Sequence, residues 1–307
     1  MFVQVAEGFP MVLIASCVYA ATLILLATGF NLTSRSLDAP NFSISSVMGI
    51  GMFATNYLVR SMDVFPYLAM PVGVVVSGVL NWLCFVLVFR PLMKKKRGPV
   101  LTLVASMGLM LMLTAVFQIL NFFKRVGNPW SMSVLFIKEY DFHWAGMPFV
   151  FVFSTLISIG MLFATRCFRT KHFGVVLRAL NENMELAQVQ GVDSDRVDQV
   201  LWVISGCLAG LAGGIHPLLF HSPTSMGPWI MSSVIAASLV GANGAILGGI
   251  KGGILVGFLE IMGTLIGQRV LGPWFGEYRV FFPITVIVLM LCFMSLEPRK
   301  IVQERYI

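Results

Sequence analysis

Charge is what this sequence has least of: 11% of its 307 residues are Asp, Glu, Lys or Arg, against roughly a quarter in an ordinary soluble domain. With 57% of residues apolar, water is not the main solvent. No stretch is rich enough in Pro, Ser or charge to form a disordered linker, and none reads as a separate soluble domain. Residues 1–307 are therefore expected to form a single membrane domain. Cysteine is sparse as well. Cys17, Cys84, Cys167, Cys207 and Cys292 are scattered, with no CxxC pair and no ligand spacing, a pattern of packing residues and not of a metal site. Residues 1–9 hold Glu7 but no Lys or Arg, so the basic start of a secretory signal is missing and the first apolar run is expected to stay in the mature protein. Missing too are the Gly-x-x-x-x-Gly-Lys-Ser/Thr loop, HExxH, GxSxG and paired carboxylates within an apolar segment. These absences argue against an intramembrane enzyme and against ATP binding by the usual loop.

What the chain does have is long apolar runs. A spanning helix needs about 20 mainly apolar residues, because the hydrocarbon core is about 30 Å thick and a helix rises 1.5 Å per residue. Residues 10–30, 67–89, 98–123, 146–165, 199–220 and 280–296 meet this, the last being short. The runs are apolar on all sides, which excludes the alternating pattern of a membrane β-barrel. Two regions are less regular. Residues 41–59 open with the polar string Asn41, Phe42, Ser43, Ile44, Ser45, Ser46, so this segment is expected to be broken or partly unwound. Residues 229–267 are too long for one helix, and Gly241, Ala242, Asn243 and Gly244 mark a turn. The part before that turn is either a short steep helix or one arm of a re-entrant loop. The expected fold is an all-α polytopic transmembrane bundle of about eight or nine membrane segments.

The formal charge of +7 comes from short Lys and Arg clusters between apolar runs, with no continuous basic face, so the expected partner is the lipid bilayer and not nucleic acid. Lys and Arg concentrate on the cytoplasmic side of membrane proteins. Arg90 with Lys94, Lys95, Lys96 and Arg97 follows the third segment, and Arg166, Arg169, Lys171, Arg178 and Arg196 lie in the loop after the fifth. An external N-terminus and nine crossings place both clusters and the C-terminus inside. That topology puts 14 of the 21 basic residues inside and six outside, with Lys251 in the membrane.

The longest internal loop, residues 166–198, contains Arg178-Ala-Leu-Asn-Glu-Asn-Met-Glu-Leu-Ala-Gln-Val-Gln-Gly191. Strong helix formers ending at a glycine predict a helix of about three turns. So small a loop cannot cover Leu180, Met184, Ala187 and Val189 together. The helix is either a solvated connection or a surface offered to something in the cytoplasm.

Residues 185–191, Glu-Leu-Ala-Gln-Val-Gln-Gly, resemble the EAAxxxG loop of ATP-binding-cassette (ABC) importer permeases, with Leu186 in place of the first Ala. The run Phe173-Gly-Val-Val-Leu-Arg-Ala through Gly191-Val-Asp-Ser-Asp-Arg-Val, the strings Leu101-Thr-Leu-Val-Ala-Ser-Met-Gly108 and Leu247-Gly-Gly-Ile-Lys-Gly-Gly, and Gly257-Phe-Leu-Glu260 are similar in order and spacing to permeases of the branched-chain amino acid type. The resemblance covers roughly residues 10–296. It implies that Arg178, Ala179, Asn181, Glu185, Ala187 and Gly191 couple the chain to a separate ATPase subunit, which binds ATP and Mg, so that no cofactor sits on this chain. It also implies a second permease subunit, in a homo- or heterodimer, an extracytoplasmic solute-binding protein, and a place in the prokaryotic cytoplasmic membrane. Such permeases usually follow Asn-Phe with Ala-His-Gly, whereas Ser43, Ile44 and Ser45 stand here, so the cargo is a branched-chain amino acid or a related small polar solute. A self-contained secondary transporter or channel is the competing reading, and would show inverted repeats or charges at the midplane.

Other residues keep two readings each. Gly206, Gly210 and Gly214 line one helix face, as do Gly249, Gly253 and Gly257, either for tight packing within the subunit or for an interface or sliding contact. Asn41, Ser43, Ser45 and Ser46 either line a translocation path or cap the following helix. Glu260 either makes structural hydrogen bonds or contacts cargo or gates it. Lys251, nine residues from Glu260, is expected to snorkel and not to pair with it. His216 and His221, flanking Pro217, are expected at the membrane interface.

Overall fold

The computed structural model describes residues 2–95, 98–127, 134–144, 147–170, 172–182, 184–241 and 246–296. They form an all-helical bundle with helices α1 (Phe2–Leu37), α2 (Ile44–Met62), α3 (Pro66–Lys94), α4 (Pro99–Gly127), α5 (Phe149–Thr170), α6 (His172–Glu182), α7 (Met184–Val189), α8 (Ser194–Ile215), α9 (Met226–Val240), α10 (Ile246–Leu271) and α11 (Phe281–Leu296). Seven of these helices, α1, α3, α4, α5, α8, α10 and the last with the turn before it, are long and apolar enough to cross a membrane. The remaining two elements of the bundle are α2 and the shorter α9. Two antiparallel strand pairs tie the loops at one end: β1 (Val134–Leu135) with β4 (Ser222–Pro223), and β2 (His143–Trp144) with β3 (Met147–Pro148).

Helices α1 and α8 are the most buried of the spans, while α5 and α11 lie at the periphery with most of their surface exposed. The sequence explains how the central helices come so close. A Cβ on Gly249, Gly253 or Gly257 of α10 would stand 2.8, 2.7 and 2.6 Å from backbone atoms of Thr28, Ile24 and Ala20 in α1. On α8, a Cβ on Gly206 or Gly210 would stand 2.5 and 2.6 Å from the carbonyl oxygens of Ser77 and Gly73 in α3, and one on Gly214 would meet Met70 at 2.8 Å. Both glycine faces are thus filled by other helices of the same chain. The pairs run in opposite residue order, so α10 is antiparallel to α1, and α3 to α8.

Two segments differ from the sequence reading, and the division of a third agrees with it. Helix α1 runs on past residue 30 to Leu37, because its polar residues find partners inside the protein: Thr33 donates to the Gly29 carbonyl (3.1 Å) and Asn31 accepts from Ser238 of α9 (2.5 Å). The segment expected to be broken contains an unbroken helix, α2, and the irregularity is confined to residues 38–43 before it. There Asn41 Oδ1 accepts from both the backbone N–H (3.1 Å) and the hydroxyl (2.7 Å) of Ser43, which fixes the turn locally, while Asn41 Nδ2 is buried without a partner among the described residues. The long run 229–267 divides into α9 and α10, an antiparallel hairpin pinned where Gly241 and Gly248 meet. Ala242, Asn243 and Gly244 lie outside the described residues. Helix α9 has 15 residues, about 22 Å of rise, and is too short to cross the hydrocarbon core alone.

Replacing Gly210 by Val should therefore lower stability by about 1–3 kcal/mol through overpacking. Replacing Gly160 on the open face of α5, where nothing lies within 4 Å of a new Cβ, should change it by less than about 0.5 kcal/mol. Thermal unfolding of the detergent-purified protein distinguishes the two.

Candidate functional site

The internal loop is helical over His172–Glu182 (α6) and Met184–Val189 (α7); residues 171 and 183 lie outside the described residues. Arg178, Ala179 and Asn181 lie on α6, and Glu185 and Ala187 on α7; the side chains of Arg178, Asn181 and Glu185 are outside the described residues. Ala187 is 3% exposed, whereas Leu186 is 56% and Val189 84% exposed. Helix α7 thus buries one small residue and leaves two apolar side chains, one helical turn apart, exposed.

Gly191 ends this helix at φ +89°, with nothing near its missing Cβ. Glycine is needed here for the backbone conformation, since an L side chain would be strained even in open space. The turn is tied by Gly191 N–H to the Gln188 carbonyl (3.0 Å) and Val192 N–H to the Ala187 carbonyl (3.1 Å), a helix stop of the left-handed type. Gln188 donates to the Ser194 hydroxyl at 2.9 Å, and Asp193 caps α8 by accepting from the Arg196 N–H at 3.2 Å. The loop thus joins α8 through four residues, 190–193, tied by these hydrogen bonds.

A second polar constellation lies deeper, between α1, α9, α10 and the turn Pro273–Val280. Glu260, 3% exposed, accepts through one oxygen from the Tyr19 hydroxyl (2.8 Å) and from Arg279 Nε (2.6 Å). The Arg279 guanidinium also lies 4.1 Å from the centre of the Tyr19 ring, a favourable place for a cation over a π face. His216 is fully buried against Tyr19 and Phe220, and its Nδ1 shares a 2.8 Å hydrogen bond with Ser222. The interfacial reading of His216 is thereby corrected: the tight turn at His216–Leu218 folds the ring inward. His221 is exposed and stacks on Phe136 at 4.0 Å. Lys251 is exposed too, and the partner of Glu260 is Arg279. The sequence reading missed Tyr19 and Arg279, which no local pattern connects to Glu260 across 241 and 19 positions.

The polar string of α2 is a separate place. Asn41, Ser43, Ser45 and Ser46 are buried; Ser45 donates to the Phe42 carbonyl (3.1 Å), and Ser46 to the Met110 carbonyl of α4 (2.9 Å), with Thr114 at 2.8 Å. These bonds hold α2 to α4 and do not bring the four residues to Glu260. Among the described residues no three His, Cys, Asp or Glu side chains gather as a metal site requires.

The protein family described as "Branched-chain amino acid transport system / permease component" matches residues 12–291. A probable branched-chain amino acid transport permease protein LivH of Methanocaldococcus jannaschii is 30% identical over 287 residues, 92% of this chain and 89% of that protein. The high-affinity branched-chain amino acid permease LivH of Escherichia coli K12 is 22% identical over 260 residues, 80% of this chain and 82% of its own. The ribose import permease protein RbsC of the same organism is 24% identical over 258 residues, 80% of this chain and 73% of its own. No solved structure matches.

Removing one partner of a buried ion pair leaves the other charge uncompensated, at a cost of about 3 kcal/mol or more. Arg279→Met should therefore lower the unfolding temperature strongly, and adding Glu260→Gln to it should recover much of the loss. Equal, additive losses in thermal unfolding would show that the pair does not act as a unit.

Proposed function

This chain belongs to the branched-chain amino acid transport permease family, and from that premise we propose that it moves a small polar solute inward when a separate ATPase displaces α7. The coarse part is secure: it is a multi-pass membrane protein and the permease component of an ABC import system, not the catalytic subunit. Our cargo is a branched-chain amino acid or a related small polar solute. The altered string Ser43-Ile44-Ser45 leaves room for a departure from leucine, isoleucine and valine.

The observation that carries this reading is the exposed pair Leu186 and Val189 on a helix whose Ala187 is buried. Two apolar side chains on a loop beside the basic run Arg90, Lys94 and Lys95 do not face hydrocarbon; they suit a groove on a protein partner. With that end placed in the cytoplasm, the N-terminus is outside and the C-terminus inside the prokaryotic cytoplasmic membrane. The loops tied by β1–β4 and β2–β3 then face the other side, where a solute-binding protein delivers cargo. Two ATPase subunits, which hold ATP and Mg, need two such helices, so a second permease subunit, identical or similar, completes the path. Arg178, Ala179, Asn181, Glu185, Ala187 and Gly191 belong to the ATPase contact in this reading. Glu260 serves the fold, and its ion pair keeps the outer halves of α1 and α10 together.

Val189→Asp should leave folding intact and cut recovery of the ATPase in co-purification by about tenfold or more, as loss of an apolar anchor does. Uptake of radiolabelled leucine and, in a parallel arm, ribose into proteoliposomes then identifies the cargo class. Uptake that continues with no ATPase present would overturn the reading in favour of a self-contained transporter.

A further inference from the structure

Directly beyond the α7 turn, the first turn of α8 carries Asp195, and Arg90 of α3 reaches it with two bonds: Nε to Oδ1 at 3.1 Å and Nη2 to Oδ2 at 2.5 Å. A fork of this kind fixes orientation as well as distance. Both side chains are about a third exposed, so the pair contributes little to stability. Its placement is more informative. Arg90 follows a π turn, Phe85–Phe89, in which the Arg90 N–H bonds to the carbonyl of Phe85, five residues back. Such turns interrupt the regular helix ladder and are a recurrent place for helices to bend.

The rest of the α3–α8 contact is graded. Two turns in from Asp195, buried Trp202 of α8 lies against Phe85 (5.3 Å) and Phe89 (4.8 Å) of the π turn. Beyond that, the glycine face of α8 touches α3 backbone to backbone and leaves no room for tilting. Helix α3 is therefore rigidly seated along its upper part, has a weaker turn at Phe85–Phe89, and is clamped at its lower end to the element that carries α7.

We propose that Arg90 and Asp195 are positioning residues that transmit displacement of α7 into α3, whose lower end then swings about its π turn. The inference rests on the reading of α7 as the ATPase contact. A static surface pair would predict no such motion.

The test uses the assembled complex of permease, ATPase and binding protein in proteoliposomes, with the permease's five cysteines replaced by alanine and Met93→Cys added at the lower end of α3. Maleimide labelling of that position is measured with and without ATP trapped by orthovanadate. The clamp predicts a change in labelling rate of about fivefold or more on trapping, its loss in Asp195→Asn, and its return in the exchanged pair Arg90→Asp with Asp195→Arg. An equal change in Asp195→Asn, no change in the unmodified pair, or no return in the exchange would each overturn the inference while leaving ATPase docking in place. Failure of the ATPase to bind the otherwise unaltered chain would instead sink the docking reading and this inference with it.

Discussion

The closeness of backbones along two glycine-lined seams sets most of what the bundle can do. Apolar side chains gain little by leaving lipid for protein, so helices in a membrane are held by contact area and by polar groups that lack water. Where α10 meets α1 and α8 meets α3, the approach is so near that a single methyl group has no space. These seams fix α1 and α8 at the centre. The π turn of α3 and the exposed side of α7 lie away from these seams, towards one end of the bundle.

That division matches the needs of a machine driven from outside. A permease without a nucleotide site has to receive force at one place and pass it on without dissipating it in loose packing. Helix α7 is attached to α8 through a four-residue junction held by hydrogen bonds, and α8 is the best-buried helix beside α1. Force applied at Leu186 and Val189 meets stiff structure almost at once.

The repetition and length of apolar runs made the all-α membrane fold legible from composition and spacing, and seven helices among the described residues are long and apolar enough to cross a membrane. The helical character of the internal loop was legible through its helix formers and its terminal glycine, Gly191. The polar string at Asn41–Ser46 was visible, but its meaning depended on Met110 and Thr114, far along the chain. The ion pair was half legible: a carboxylate inside an apolar run demands a partner, yet nothing local identifies Arg279, which comes back to Glu260 only because the turn after α10 reverses the chain. The clamp at Arg90 was hidden for a different reason. Its position among Lys94, Lys95, Lys96 and Arg97 gave it the look of one more topological charge.

The same ion pair bears on how the protein is made. During synthesis α10 leaves the ribosome before Arg279 does, so for a time Glu260 sits in a nascent span with no cation beside it. A lone charge at the centre of a helix opposes membrane insertion by about 2.5 kcal/mol or more. Neutralisation waits for the turn that follows, so a chain ending near residue 272 is expected to hold this span in the bilayer less firmly than one that reaches Arg279.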